Sequence, residues 1–278
     1  MLRQRVITGV ILAALFLLTV TMLPTHWMAV AFAAVAMIGA WEWAGMAGFS
    51  AQWQRCLYAL LLSPLLLAFW LVYDLGGLPS RSLIQPWLGA ACLFWSMTVL
   101  FIRSYPQGEV IWQAPVLRAM MGLLILAATW LSVVFLKTLP GGAWLVVLLI
   151  VGVAAADIGA YFFGRRFGRH KLAPAVSPGK TWEGMWGGVF VVMLVTIVVW
   201  QSLPPSLAHL RVSALMMLGL ALAGASVLGD LTISIVKRTS GVKDSSGLLP
   251  GHGGVLDRID SICGAAPVFA LGLILVDY

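Results

Sequence analysis

The sequence predicts an all-α fold: a polytopic integral membrane helical bundle of about nine transmembrane helices, with the N-terminus cytoplasmic. Composition is the first observation behind this. Hydrophobic residues make up 61% of the 278 and charged residues only 10%, where a soluble domain carries roughly a quarter charged. Mean hydropathy is +0.99. The second observation is the recurrence of apolar runs near the length of about 20 residues that crosses a bilayer core. The third is an uneven placement of basic residues, which bears on both the number of spans and their direction.

Taken in order, the spans are expected at 6–23, 27–47, 56–73, 86–102, 117–136, 143–163, 185–201, 213–236 and 261–277. The first follows Arg3 and Arg5 and resembles a signal peptide. It meets Pro24, Thr25 and His26 with no small-x-small cleavage site, so it reads as an uncleaved helix. The second carries Glu42, the third contains Pro64 and the fourth begins at Pro86, which makes these three the least regular. If nine spans alternate from a cytoplasmic N-terminus, fourteen of the 17 lysines and arginines fall on the cytoplasmic side. Only Arg81, Lys137 and Arg211 fall opposite, as the positive-inside bias requires. Omitting one span would reverse every later connection and spoil this division. The net charge of +7 therefore speaks for orientation and anionic headgroups, with no nucleic acid partner expected. Cys56, Cys92 and Cys263 lie in apolar context without paired spacing and read as packing residues rather than disulfides or metal ligands.

Two cytoplasmic connections are long and chemically dense, 164–184 and 237–260. The 103–116 connection, with Pro106, Gly108 and Pro115, reads as an irregular connector. The expected organisation is a set of membrane-anchoring helices over 1–140 and a catalytic membrane half over 141–278 that carries both loops.

Acidic residues well inside the spans are Glu42, Asp157 and Asp230. Each costs about 2.5–3.5 kcal/mol on insertion scales and so faces a cavity or a partner. Helical spacing groups them. Ser226, Asp230, Ser234 and Lys237 recur as one polar stripe, and Asp257, Asp260, Ser261 and Gly264 form another beyond the loop. Asp157 and Tyr161 make a shorter stripe. Asp157 and Asp230 could simply pair with basic side chains and lock helices together. With Asp257 and Asp260 alongside, a shared pocket that binds a cation is the favoured reading, and oxygen-only ligation suits Mg²⁺, Mn²⁺ or Ca²⁺ over zinc.

The loops add phosphate chemistry. Gly179-Lys180-Thr181 looks like the tail of a P-loop, but Pro174 stands where the leading glycine belongs and no strand is expected before it, so that motif is rejected. What remains is Ser177, Lys180 and Thr181 ahead of a helix, a combination that can hold phosphate oxygens through hydroxyls, an ammonium and helix-terminal amides. Arg165, Arg166, Arg169 and Lys171 are equally well explained by topology. In the second loop, Gly251-His-Gly-Gly254 permits close backbone approach, so Gly253 and Gly254 are candidate phosphate contacts and His252 a candidate acid, base or donor. His26 and His209 lie on the far side and read as incidental. Gly184 and Gly188 have the G-x-x-x-G spacing of close helix packing. From the residues alone, the chain is a cytoplasm-facing, divalent-metal-dependent membrane enzyme that handles a phosphate-rich substrate.

The segment Ser234 to Asp260 closely resembles the motif of the phosphatidate cytidylyltransferase (CDP-diacylglycerol synthase) family. Ser234, Lys237, Arg238, Lys243, Asp244, Ser246, Leu249, Pro250, His252, Gly253, Gly254, Asp257, Arg258 and Asp260 fall in register with it. Ser177 to Gly184 is similar to that family's second segment, so the resemblance covers about residues 150–278. It implies transfer of the cytidylyl group of CTP to phosphatidate, giving CDP-diacylglycerol and pyrophosphate with Mg²⁺ and room for a second cation. It also implies Asp230 and Asp257 as direct metal ligands with Asp260 and Asp157 close by. Lys237, Arg238, Lys243 and Arg258 would hold phosphates, with Asp244 and His252 in the same catalytic group. Ser177, Lys180, Thr181, Ser234, Gly253 and Gly254 would bind substrate. A homodimer in the inner membrane, with the active site facing the cytoplasm, completes the expectation. The competing readings are a CTP-dependent polyprenol kinase, which would release CDP, and an ion-coupled transporter, since intramembrane aspartates also mark ion pathways. The Asp-Gly-x-x-Ala-Arg pattern of CDP-alcohol phosphotransferases is absent.

Overall fold

The computed structural model describes residues 2–77, 79–107 and 113–276, with side chains from residue 7 onward. Gly108 of the 103–116 connector and the side chains of Arg3 and Arg5 lie outside the described residues. Among the described residues nine long helices run in chain order: α1 Leu2–Met22, α2 Thr25–Ala47, α3 Gln52–Val72, α4 Arg81–Ser104, α5 Pro115–Thr138, α6 Gly142–Phe167, α7 Trp182–Trp200, α8 Val212–Thr239 and α9 Leu256–Leu275. Each expected span falls on one of them. Eight, α2 to α9, are long and apolar enough to cross a membrane, while the described apolar part of α1, Ile7–Met22, is shorter.

Helix α9 is central and packs against α2, α4, α5, α6 and α8. It is among the most buried of the eight, together with α5. Small residues set the closest contacts. A Cβ on Gly264 of α9 would collide with the Ala225 carbonyl of α8, and one on Gly229 of α8 would collide with the Asp260 carbonyl. Between α6 and α7, a Cβ on Gly188 would stand 2.6 Å from the Ala156 carbonyl oxygen and one on Gly184 2.8 Å from that of Ala160. The close-packing reading of Gly184 and Gly188 therefore holds, and backbone touches backbone across both helix pairs.

Several boundaries differ from expectation for identifiable reasons. Helix α9 begins at Leu256 instead of residue 261, so Asp257 and Asp260 lie inside it. Helix α4 begins at Arg81 and takes Pro86 into its second turn, and α3 runs through Pro64. The 164–184 connection, expected as a loop, contains a two-stranded antiparallel hairpin, β1 Lys171–Ala173 and β2 Ser177–Thr181, with Lys171 opposite Thr181 and Ala173 opposite Ser177. Gly179 and Lys180 thus sit in a strand rather than in a phosphate-cradling loop, which agrees with rejecting the P-loop. Helix α7 begins right after β2 because the Thr181 hydroxyl accepts the N–H of Gly184 at 3.1 Å. Cys56, Cys92 and Cys263 are all free thiols.

Candidate active site

The glycine contact between α8 and α9 brings their two polar stripes face to face. Asp230 of α8 receives the Ser234 hydroxyl on Oδ1 at 3.1 Å, as the i, i+4 spacing predicts. Lys237, on the same stripe, pairs with Asp257 of α9 at 2.8 Å and approaches Asp260 at 3.8 Å. The side chains of Lys237 and Asp257 are only 9% and 7% exposed, so this pair lies within the protein where electrostatic interaction is strong. Asp260 also accepts the N–H of Ser261 at 2.8 Å.

The hairpin adds a second ammonium. Lys180 reaches across to Asp230 at 2.6 Å. It lines a cavity of about 500 Å³ together with Ser177, Thr181, Asp157, Tyr161 and Asp230, bounded by α6, α7, α8 and the hairpin. Asp157 is within electrostatic range of both Lys180 and Asp230, and Asp260 within range of Asp230, Lys237 and Lys180. The three stripes therefore converge on one end of the bundle. Four aspartates meet two lysines there, a formal excess of two negative charges that one divalent cation would cancel. The donors are all oxygens, the chemistry Mg²⁺ prefers, and two of the carboxylates already accept a cationic partner in this arrangement. Among the described residues, no three His, Cys, Asp or Glu side chains are gathered as a ready metal cage.

The rest of the 237–260 connection is held by its own backbone and by carboxylates. Asp257 Oδ2 accepts the N–H of Ser245 and of Gly254, both at 2.9 Å. Gly253 has φ +79 and closes a turn in which the N–H of Leu249 donates to its carbonyl at 2.8 Å. Arg258 donates to the His252 carbonyl from Nε and Nη2 at 3.1 and 2.6 Å. Arg238 donates to the carbonyls of Val176 and Val242, each at 3.3 Å, which ties this loop to the hairpin turn. Two arginines expected to meet phosphates thus make their described hydrogen bonds with backbone carbonyls. Lys243 and Asp244 are exposed and make no hydrogen bond or ion pair among the described residues. His252 does not line the cavity; its Nδ1 is buried without a partner and its ring lies beside Gly9 of α1.

Two carboxylates outside the expected site also shape it. Glu183, in the first turn of α7, accepts the N–H groups of Arg169 and His170 at 3.1 and 3.2 Å, and its Oε1 lies 2.7 Å from the His170 ring. Glu42 of α2 is 1% exposed and receives four donors, all from residues 245–256. Its presence in an apolar span was the available signal. Its partners, more than 200 positions away, were not visible in any local pattern.

Comparison with known proteins follows the same outline. The chain matches the cytidylyltransferase family over residues 3–276. A phosphatidate cytidylyltransferase of Pseudomonas aeruginosa is 43% identical over 271 residues, covering 97% of this chain and 96% of that protein. One from Haemophilus influenzae is 36% identical over 282 residues, covering 97% and 98%. Another, from Staphylococcus epidermidis, is 40% identical over 140 residues, or 50% of this chain and 53% of its own length. Because the first match runs through every helix and both polar connections, the chain belongs to the cytidylyltransferase family and is a membrane nucleotidyltransferase.

Proposed function

We propose that the protein transfers the cytidylyl group of CTP to phosphatidate, giving CDP-diacylglycerol and pyrophosphate. The observation that carries this reading is the convergence of Lys180–Asp230, where the hairpin meets α8, and Lys237–Asp257, where α8 meets α9, beside a cavity at one end of a membrane bundle. The names of the full-length relatives supply the substrates. We place this end at the cytoplasmic face of the inner membrane, with α1 as a ninth crossing and the N-terminus cytoplasmic, on the strength of the basic residues gathered there. A homodimer is the expected assembly.

A phosphate oxygen of phosphatidate attacks the α-phosphorus of CTP in line. A P–O bond forms, the bond to the β-phosphate oxygen breaks, and pyrophosphate leaves with the electron pair. The attacking monoester is largely ionised near pH 7, its second pKa being about 6, so no strong general base is needed. Catalysis is then positioning and charge stabilisation. Lys180 and Ser177 hold a phosphate in the cavity, and Lys243 is free to follow the triphosphate from the loop. Lys237 is fixed between Asp257 and Asp260 with its charge beside the reacting groups. Arg238 and Arg258 hold the loop in the shape that presents Gly253 and Gly254, and Asp244 stands beside that turn. Ser234 orients Asp230, and Thr181 fixes the hairpin against α7. Mg²⁺, when bound, neutralises charge on the triphosphate, and Asp157, Asp230, Asp257 and Asp260 are the residues that would hold it.

Membranes carrying the protein, given phosphatidate, Mg²⁺ and α-labelled CTP, test the reading. Label is expected in lipid as CDP-diacylglycerol. No labelled lipid from folded protein would sink it, and soluble labelled CDP formed with a polyprenol would favour the kinase.

A further inference from the structure

Glu42 has no part in the reaction just described, yet the loop is built on it. Ser245 Oγ lies 3.0 Å from Oε2 and Ser246 donates its hydroxyl to Oε1. The N–H of Val255 donates to Oε1 at 2.9 Å and that of Leu256 to Oε2 at 2.7 Å. Both N–H groups stand at the start of α9, whose positive end favours a carboxylate. Among the described residues no lysine or arginine forms an ion pair with it, so its charge rests on these four donors.

Ser245 passes this constraint onward. Its N–H donates to Asp257 Oδ2, and its hydroxyl lies 3.1 Å from the same oxygen, so one proton serves either Glu42 or Asp257 at a time. Asp257 in turn holds Lys237 on its other oxygen. There is no slack in the junction: a Cβ on Gly254 would collide with the Ser245 hydroxyl and stand 2.5 Å from Glu42 Oε1. A displacement at Glu42 is therefore transmitted through Ser245 and the α9 terminus to Asp257 and Lys237.

We propose that Glu42 is a positioning residue for cytidylyl transfer: through Ser245 and the first turn of α9 it sets where Asp257 and Lys237 stand, which makes α2 part of the catalytic unit. The proposal rests on the reaction proposed above. Glu42→Gln is the informative variant because the two backbone donors divide between the two oxygens. A serine hydroxyl can turn and accept from an amide, but a backbone N–H cannot. Whichever way the glutamine amide faces, its NH₂ meets the N–H of Val255 or that of Leu256.

The experiment compares purified wild-type protein with Glu42→Gln and Glu42→Asp. It measures steady-state cytidylyl transfer per folded molecule and, with no substrate present, the rate of tryptic cleavage after Lys243. The expected result is a Glu42→Gln protein that elutes as the wild type does, with kcat lower by about tenfold or more and both KM values within about threefold. Cleavage after Lys243 should be several-fold faster, and Glu42→Asp, which keeps both acceptor oxygens, should recover part of kcat. Folded Glu42→Gln with wild-type kcat, or with wild-type cleavage, overturns the proposal. If Glu42→Gln does not accumulate, the decision passes to Ser246→Ala, where unchanged kcat and unchanged cleavage overturn it and a loss of about threefold supports it. Should the wild type itself label no lipid, the reaction is wrong, and the cleavage rates still decide whether Glu42 holds the loop.

Discussion

The hairpin connection at 168–181 and the loop at 240–255 are each fastened by a carboxylate in the first turn of the helix that follows. Glu183 does this for the hairpin and Asp257 for the loop, each by accepting two backbone N–H groups. The hairpin's carboxylate fastening comes from α7, which directly follows it, and α8 adds one contact each from Asp230 and Arg238. The loop has a second, buried carboxylate contributed by α2, and its arginine contact reaches back to the hairpin turn at Val176. The hairpin is thus a local device that delivers Lys180 and Ser177 to the cavity. The loop is an assembled device, whose shape depends on how α2, α8 and α9 pack. Damage to the first should stay near its origin, whereas damage to the second should spread to Lys237.

Substitutions can break this contrast or sharpen it, and the largest effect is expected at the loop's inner end. Asp257→Asn leaves the buried Lys237 ammonium with only the more distant Asp260 carboxylate, 3.8 Å away, and removing one member of a buried pair costs about 3–5 kcal/mol. Turnover in the labelled-CTP assay should fall at least about 100-fold, with the protein still recovered from membranes. Near-normal activity would take Asp257 out of the site. Next is Lys180→Ala, expected to reduce kcat/KM by about 30-fold, with Asp230 losing its ion-pair partner. A drop no larger than that of a neutral surface variant would show the hairpin to be dispensable.

A matched glycine pair should separate further. Gly254→Ala introduces a methyl against Ser245 and Glu42, and should lose about tenfold in turnover. Gly247→Ala, in the same loop but with nothing within 4 Å of the added Cβ, should stay within about twofold. Equal behaviour of the two would mean the loop is not held as described. The smallest effect, about threefold and mainly in KM, is expected for Glu183→Gln, which loosens only the Arg169–His170 turn. A collapse of kcat in that variant would contradict the local character of the hairpin.

Much of this arrangement is legible in the amino-acid sequence. Hydropathy locates the nine long helices of the described residues, and the 3.6-residue period places Asp230 with Ser234 and Lys237, and Asp257 with Asp260, on faces that do meet. Three things escape it. Strands of three and five residues built from Lys-Leu-Ala and Ser-Pro-Gly-Lys-Thr are too short and too polar to show alternation. The early start of α9 is hidden because Asp257 and Arg258 look like loop residues, and the carboxylate that satisfies the first helical N–H groups lies on α2. Glu42 itself is conspicuous as a charge in an apolar span, but its role is a long-range relation that no local spacing expresses. The same limit applies to Arg238 and Arg258, whose charge suggests phosphate although their described donors go to carbonyls.

The glycine contacts between α6 and α7 and between α8 and α9 have a mechanical consequence. Where main chain rests directly on main chain, there are few side chains at the joint whose rotamers could absorb a small tilt or slide of one helix. Lateral pressure or a change in bilayer thickness would then move each helix pair as a stiff block, keeping the spacing of Asp230 and Asp257 within the α8–α9 pair. Compliance is left to the side-chain contacts between blocks, among them Lys180–Asp230 and Arg238–Val176, which both cross from the hairpin to α8.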